Sequence, residues 1–140
     1  PALSTYRVGE NHAGAIATIT ATDDDGQAVS YSLTGADAGL FRITSTGVLT
    51  FDLPPDFEIP RDADTDNRYD LSVVATSGGK SATQAVRVEV RDVNEAPVWI
   101  PGSGPLAFSL PENSTASFAT VLAADPDQGD VVSYSLSGPD

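Results

Sequence analysis

The chain has no cysteine, one histidine and one lysine among its 140 residues. Without thiols it can form no disulfide and offers no thiolate to zinc or to a substrate carbon. With His12 alone, neither a catalytic triad nor a zinc site has enough members. Basic residues are scarce: Lys80 and six separated arginines stand against 20 acids, giving a net charge of −13. That balance speaks against nucleic acid and anionic membrane surfaces, both of which recruit clustered Lys and Arg. No apolar stretch reaches 18 residues, so membrane insertion by a helix is not expected. Pro1 to Val8 has neither the basic start nor the apolar core of a leader. The chain reads as an internal piece of something longer, and the missing leader says little about location.

What is present is enough apolar residue for a core, 40% of the chain, distributed with a period of two. Tyr69, Leu71, Val73 and Ala75 alternate with Asp70, Ser72 and Val74; Val86, Val88 and Val90 alternate with Arg87, Glu89 and Arg91. Such alternation predicts half-buried strands. Between them, Ser77-Gly78-Gly79-Lys80 supplies the positive-φ residues of a tight hairpin. Phe41-Arg42-Ile43 and Val48 to Phe51 flank a second turn at Ser45-Thr46-Gly47, and Leu3 to Val8, Ala15 to Thr20 and Val29 to Thr34 complete seven strands. No helical stripe competes. Seven short strands in about 95 residues predict a Greek-key β-sandwich.

The chain also repeats itself. Glu10-Asn11 returns as Glu112-Asn113, Ala21-Thr22-Asp23-Asp24-Asp25-Gly26 as Ala123-Ala124-Asp125-Pro126-Asp127-Gln128-Gly129, and Val29-Ser30-Tyr31-Ser32-Leu33-Thr34-Gly35 as Val132-Ser133-Tyr134-Ser135-Leu136-Ser137-Gly138. Three separated segments in one order, about 100 residues apart, mark two copies of one unit. The expected organisation is a first domain over 1–96 and an incomplete second over 97–140, holding counterparts of the first three strands only. Such a remnant should expose an apolar face, pack on the first domain or borrow strands from another chain.

Acidic motifs stand at the expected strand ends: Gly9-Glu10-Asn11, Pro55-Asp56-Phe57-Glu58, Arg91-Asp92-Val93-Asn94-Glu95-Ala96-Pro97-Val98-Trp99 and Asp125-Pro126-Asp127. In this order they resemble the Pro-Glu-Asn, Leu-Asp-Arg-Glu, Asp-x-Asn-Asp-Asn-x-Pro-x-Phe and Asp-x-Asp motifs of cadherin repeats. The resemblance, to bacterial cadherin-like repeats of surface adhesins, spans residues 6 to 138. It implies an immunoglobulin-like sandwich whose linker binds up to three Ca²⁺ ions. Glu10, Asp56 and Glu58 would come from one end of the first domain, Asp92, Asn94 and Glu95 from the linker, and Asp125 and Asp127 from the next domain. The main-chain carbonyls of Val93 and Ala96 would fill remaining positions. The chain departs from the family at Ala75-Thr76-Ser77, where Ala-x-Asp is usual, so a metal site beside Asp23 and Asp25 is expected to be weak.

Physics points the same way, because seven carboxylates gathered at one joint repel strongly and Ca²⁺ accepts about 6–8 oxygens. The expected function is a calcium-dependent structural and adhesion repeat of a large extracellular bacterial protein. Its expected partners are neighbouring repeats of the same polypeptide, with homophilic or cell-surface and glycan contacts open. A carbohydrate-binding accessory module is the alternative, and it requires grouped exposed aromatics, whereas alternation turns Tyr31, Phe41 and Tyr69 inward. Nothing couples a nucleophile to a base, so an enzyme is not expected. Asp62-Ala63-Asp64-Thr65-Asp66-Asn67 begins like a calcium loop but lacks the Gly at position 6 and the Glu at position 12, and a solvated turn is the favoured reading. His12 is expected at the surface of a turn, Trp99 in the packing of the second domain, and Gly102-Ser103-Gly104-Pro105 in a flexible turn.

Overall fold

A computed structural model describes residues 2–100 and 106–139; the turn at 102–105 lies outside them. The chain divides into two compact units, Pro1–Val93 and Asn94–Asp140.

In the first unit, β1 (Ser4–Gly9), β2 (Ala15–Thr18), β3 (Ser30–Thr34), β4 (Phe41–Ile43), β5 (Val48–Phe51), β6 (Arg68–Ser77) and β7 (Lys80–Arg91) follow the expected order. They form two sheets, β1-β7-β6-β3 and β2-β5-β4. The architecture is an all-β immunoglobulin-like sandwich, with β1 running parallel to β7 and the other pairs antiparallel. The β6–β7 turn has φ +54° at Gly78 and +77° at Gly79, as a two-residue hairpin whose twist matches its strands requires. Gly47 is fixed by a closer constraint. Its carbonyl accepts the Ile19 N–H at 2.8 Å, and a Cβ there would sit 2.0 Å from the Ile19 carbonyl oxygen.

The core forms where the alternating faces meet. Tyr69 faces Val88 and Leu71 faces Val86 across the β6–β7 ladder, and all four are buried with Leu49, Val73 and Val90. Phe41 and Phe51 stack at 4.4 Å, and the Tyr69 ring meets both edge-on at 5.9 and 5.2 Å. Burial pushes the Tyr69 hydroxyl above its ordinary pKa, and its oxygen accepts the Arg61 N–H at 3.3 Å. The outward positions carry paired charge instead. Arg87 grips Asp70, its register partner, through two bonds of 2.7 Å, holding that carboxyl below the usual range.

A short 3₁₀ turn, Ala38–Leu40, was not expected from the sequence. It follows Asp37, which is 3% exposed. Its carboxylate accepts N–H groups from Ala63 at 2.8 Å and Asp70 at 2.6 Å, so this buried acid ties the 62–67 loop to β6.

The second unit holds β8 (Val98–Ile100) paired antiparallel with β9 (Leu122–Ala124). It begins the same fold: the Tyr134 hydroxyl accepts the Ala123 N–H at 2.9 Å, just as the Tyr31 hydroxyl accepts the Ala21 N–H at 2.9 Å in the first unit. Yet Ser133 to Ser137, counterparts of β3, form no strand. The reason lies in the pairing. In the first unit β1, β2 and β3 hydrogen-bond to β7, β5 and β6, so their counterparts at 106–111, 117–120 and 133–137 form no ladder among the described residues. Trp99, expected in packing, is accordingly 50% exposed, with its ring 6.1 Å from that of Tyr134. Phe108, Phe118, Val131 and Leu136 are exposed as well.

Candidate metal centre

Glu10 organises one end of the first unit. The β1–β7 ladder delivers it, since its N–H donates to the Arg91 carbonyl at 2.9 Å just beyond the last paired residues. Its side chain is turned inward, leaving the residue 6% exposed. One carboxylate oxygen accepts the Phe57 N–H at 3.0 Å and the other accepts the Val93 N–H at 2.9 Å. Each amide lies next to an acid, so fixing Phe57 and Val93 places Glu58 and Asp92 beside Glu10. The three residues bring carboxylate oxygens within 4.8 Å of one another.

The turn that lets this happen needs a left-handed residue. Asn11 has φ +59°, and Asn113 repeats it at +62° in the second unit. Asparagine tolerates this region because its short polar side chain can hydrogen-bond the local backbone, and the Asn11 N–H then donates to the Pro55 carbonyl at 2.8 Å, drawing in the 55–58 segment. Asn11→Ala is expected to cost about 1–2 kcal/mol, with Asn11→Gly near wild type, measured by denaturant midpoint.

The other expected ligands make bonds within their own units. Asp56 is exposed, and its carboxylate accepts the Ile59 N–H at 2.8 Å, capping its own turn. The Asn94 side-chain amide donates to the Glu95 carbonyl at 3.1 Å, and the Glu95 N–H donates to Asp127 Oδ2 at 2.6 Å. Val93 is half exposed, and its N–H is committed to Glu10. Ala96 lies in unpaired linker backbone. In the second unit Asp125 and Asp127 stand in one loop with Asp130, an acid the motif comparison did not single out, and the three bring oxygens within 4.8 Å of one another.

Hard oxygen donors without nitrogen or sulfur suit Ca²⁺ or Mg²⁺, not zinc or copper. Two like charges 4.8 Å apart repel by about 3–4 kcal/mol at an effective dielectric near 20. A divalent cation removes that cost, so the donor set of the first unit fits calcium.

The 62–67 loop differs from a freely solvated turn. Asp62 is 3% exposed and its carboxylate accepts the Asp66 N–H at 2.8 Å and the Asn67 N–H at 3.2 Å, closing a turn in which Thr65 and Asn67 take positive φ. A hydrogen bond with Asp62 raises the Asp64 pKa. In the 23–27 loop the Gln27 and Asp25 N–H groups both donate to Asp23 Oδ1, at 3.2 and 3.0 Å, and the Gln27 bond is the main cause holding that carboxyl below its ordinary pKa. His12 is half-buried, with its Nε2 3.3 Å from the Ala15 carbonyl.

No family model matches the chain. Protocadherin Fat 4 of Mus musculus is 33% identical over 135 residues, which cover 89% of this chain and 2% of that protein. Among solved structures, mouse cadherin-23 EC22-24 is 30% identical over 65% of this chain and 29% of its own, with a TM-score of 0.53. Drosophila N-cadherin EC1-3 is 28% identical over 64% of this chain and 32% of its own, with a TM-score of 0.55. Among the described residues no helix is long and apolar enough to cross a membrane. With the sandwich, the motif order and these relatives in agreement, the chain belongs to the cadherin domain family, as an extracellular repeat.

Proposed function

We propose that the chain is a calcium-dependent spacer and adhesion repeat of a large bacterial surface protein, with a first domain over 1–96 and a second over 97–140. Ca²⁺ is held by Glu10, Asp56, Glu58, Asp92, Asn94 and Glu95, by the carbonyls of Val93 and Ala96, and by Asp125 and Asp127 of the following domain. The ion supplies positive charge that cancels carboxylate repulsion and stiffens the joint, so that neighbouring repeats of the same polypeptide extend as a rod. The observation that supports this reading is the double grip of Glu10 on Phe57 and Val93, which gathers three acids at the end of the first unit. The bacterial setting rests on the sequence resemblance, and homophilic contact remains the partner class in view. A carbohydrate-binding module is disfavoured, because the relatives are cadherins and, in the first unit, Phe41 and Tyr69 are buried and Tyr31 packs against the core.

Thermal melts in millimolar calcium and in chelator test the proposal. Calcium at about 100 times its dissociation constant adds about 2.7 kcal/mol, which raises Tm by roughly 10–20 °C for a domain near 100 residues. Superimposable melts would refute it.

A further inference from the structure

Arginines that stand apart in the sequence meet on the folded first unit. On the outer face of the β1-β7-β6-β3 sheet, Glu89 lies opposite Arg7 in the β1–β7 ladder and opposite Arg68 in the β6–β7 ladder, so one carboxylate stands between two guanidinium groups. Arg7 Nε is 2.8 Å from Glu89, and Arg68 Nη1 is 3.6 Å from Asp66. Arg87 and Arg91 share this face, because they alternate along β7 with buried Val86, Val88 and Val90. Four of the six arginines thus gather in the half of the sheet away from the β6–β7 turn, against Asp70 and Glu89 as the acids at outward strand positions. The result is a local surplus of positive charge in a chain of net −13. Pairing does not cover it: the Arg7 and Arg68 side chains remain 54% and 57% exposed.

The opposite end of the same unit carries the complementary charge. Asp23 lines a hollow with Ser77, Lys80 and Ser81 at the β6–β7 turn. Its Oδ1 accepts the Asp25 N–H at 3.0 Å and the Gln27 N–H at 3.2 Å, fixing a loop on which Asp24 and Asp25 are exposed. The two ends are separated by the 10 residues of β6, about 30 Å of strand. A two-fold axis across the strands therefore lays the basic end of each copy on the acidic end of the other, the reciprocal contact an isologous dimer requires. Repulsion between two acidic chains is screened beyond ~8 Å at physiological ionic strength, whereas the paired charges act at contact.

We infer that this sheet face is a homophilic surface, on which Arg7, Arg68, Arg87 and Arg91 of one copy receive Asp24 and Asp25 of a second copy, and the reverse, in an antiparallel pair. The inference rests on the homophilic part of the reading above and not on its calcium part.

Sedimentation equilibrium of the full chain in calcium, at up to about 1 mM chain and about 0.05 M salt, is expected to show a dimer that weakens as salt rises. R7E/R68E and D24K/D25K are each expected to raise the dimer Kd at least ~10-fold. Their mixture is expected to restore pairing, because each supplies the charge the other has lost. Asp24 and Asp25 are exposed loop residues, so D24K/D25K decides the matter by itself should R7E/R68E unfold. A wild-type chain that stays monomeric overturns the proposal, and polygalacturonate held by Arg7 and Arg68 of that monomer would assign the face to an anionic glycan instead. Dimerisation that survives D24K/D25K also overturns it, moving the homophilic contact to another face and leaving the homophilic reading standing. A calcium shift in the melt of a chain that never dimerises keeps the spacer reading and removes this one.

Discussion

Glu10→Ala is expected to lower the melting temperature in calcium by roughly 20–50 °C and to abolish the difference between calcium and chelator. Two effects add. The variant strips the acceptors from the Phe57 and Val93 amides, which costs about 2–4 kcal/mol for two part-buried donors. It also removes one of three gathered carboxylates. Glu10→Gln separates these effects, because its amide oxygen still accepts a hydrogen bond while the charge is gone. In chelator Glu10→Gln should melt closer to wild type than Glu10→Ala does, and in calcium it should gain little. A Glu10→Gln chain that keeps the full calcium shift would remove Glu10 from the metal site and leave it a backbone clamp.

Tyr69→Ala is expected to destabilise the first unit by about 3–5 kcal/mol, the usual cost of removing a buried aromatic. Tyr69 is 1% exposed and its ring closes the Phe41–Phe51 stack edge-on, so the cavity opens between the two sheets. Tyr69→Phe keeps the ring and loses only the acceptor for the Arg61 N–H, for about 0.5–1.5 kcal/mol. Urea denaturation in excess calcium resolves the pair. A Tyr69→Phe cost as large as that of Tyr69→Ala would show that the hydroxyl, not the ring, holds the sheets.

Strand content was legible wherever period-two alternation ran beside turn residues. The Gly78-Gly79 hairpin and the inward set Tyr69, Leu71 and Val73 follow from local sequence, because strand geometry sends alternate side chains to opposite faces. The second repeat shows where that logic stops. Ser133 to Ser137 carry the same pattern as β3, yet they form no strand, because alternation describes a surface and not the partner that must hydrogen-bond to it. Trp99 is half exposed for the same reason.

The site divides likewise. Motif order named Glu10, Glu58 and Asp92, because each stands in a motif that resembles those of cadherin repeats. Asp37 escaped notice, since a lone acid before a three-residue turn has no sequence signature, and its value comes from amides 26 and 33 residues away. Asp130 escaped because it lies beyond the matched motif.

The amino-acid order alone determined the β-sandwich class and the repeat, because both are written in spacings along the chain, and its motifs carried the resemblance to cadherin repeats. Only the folded molecule decided which acids meet. Glu10 lies 47 residues from Phe57 and 83 from Val93, and contacts across such separations are set by sheet pairing, which local sequence does not encode.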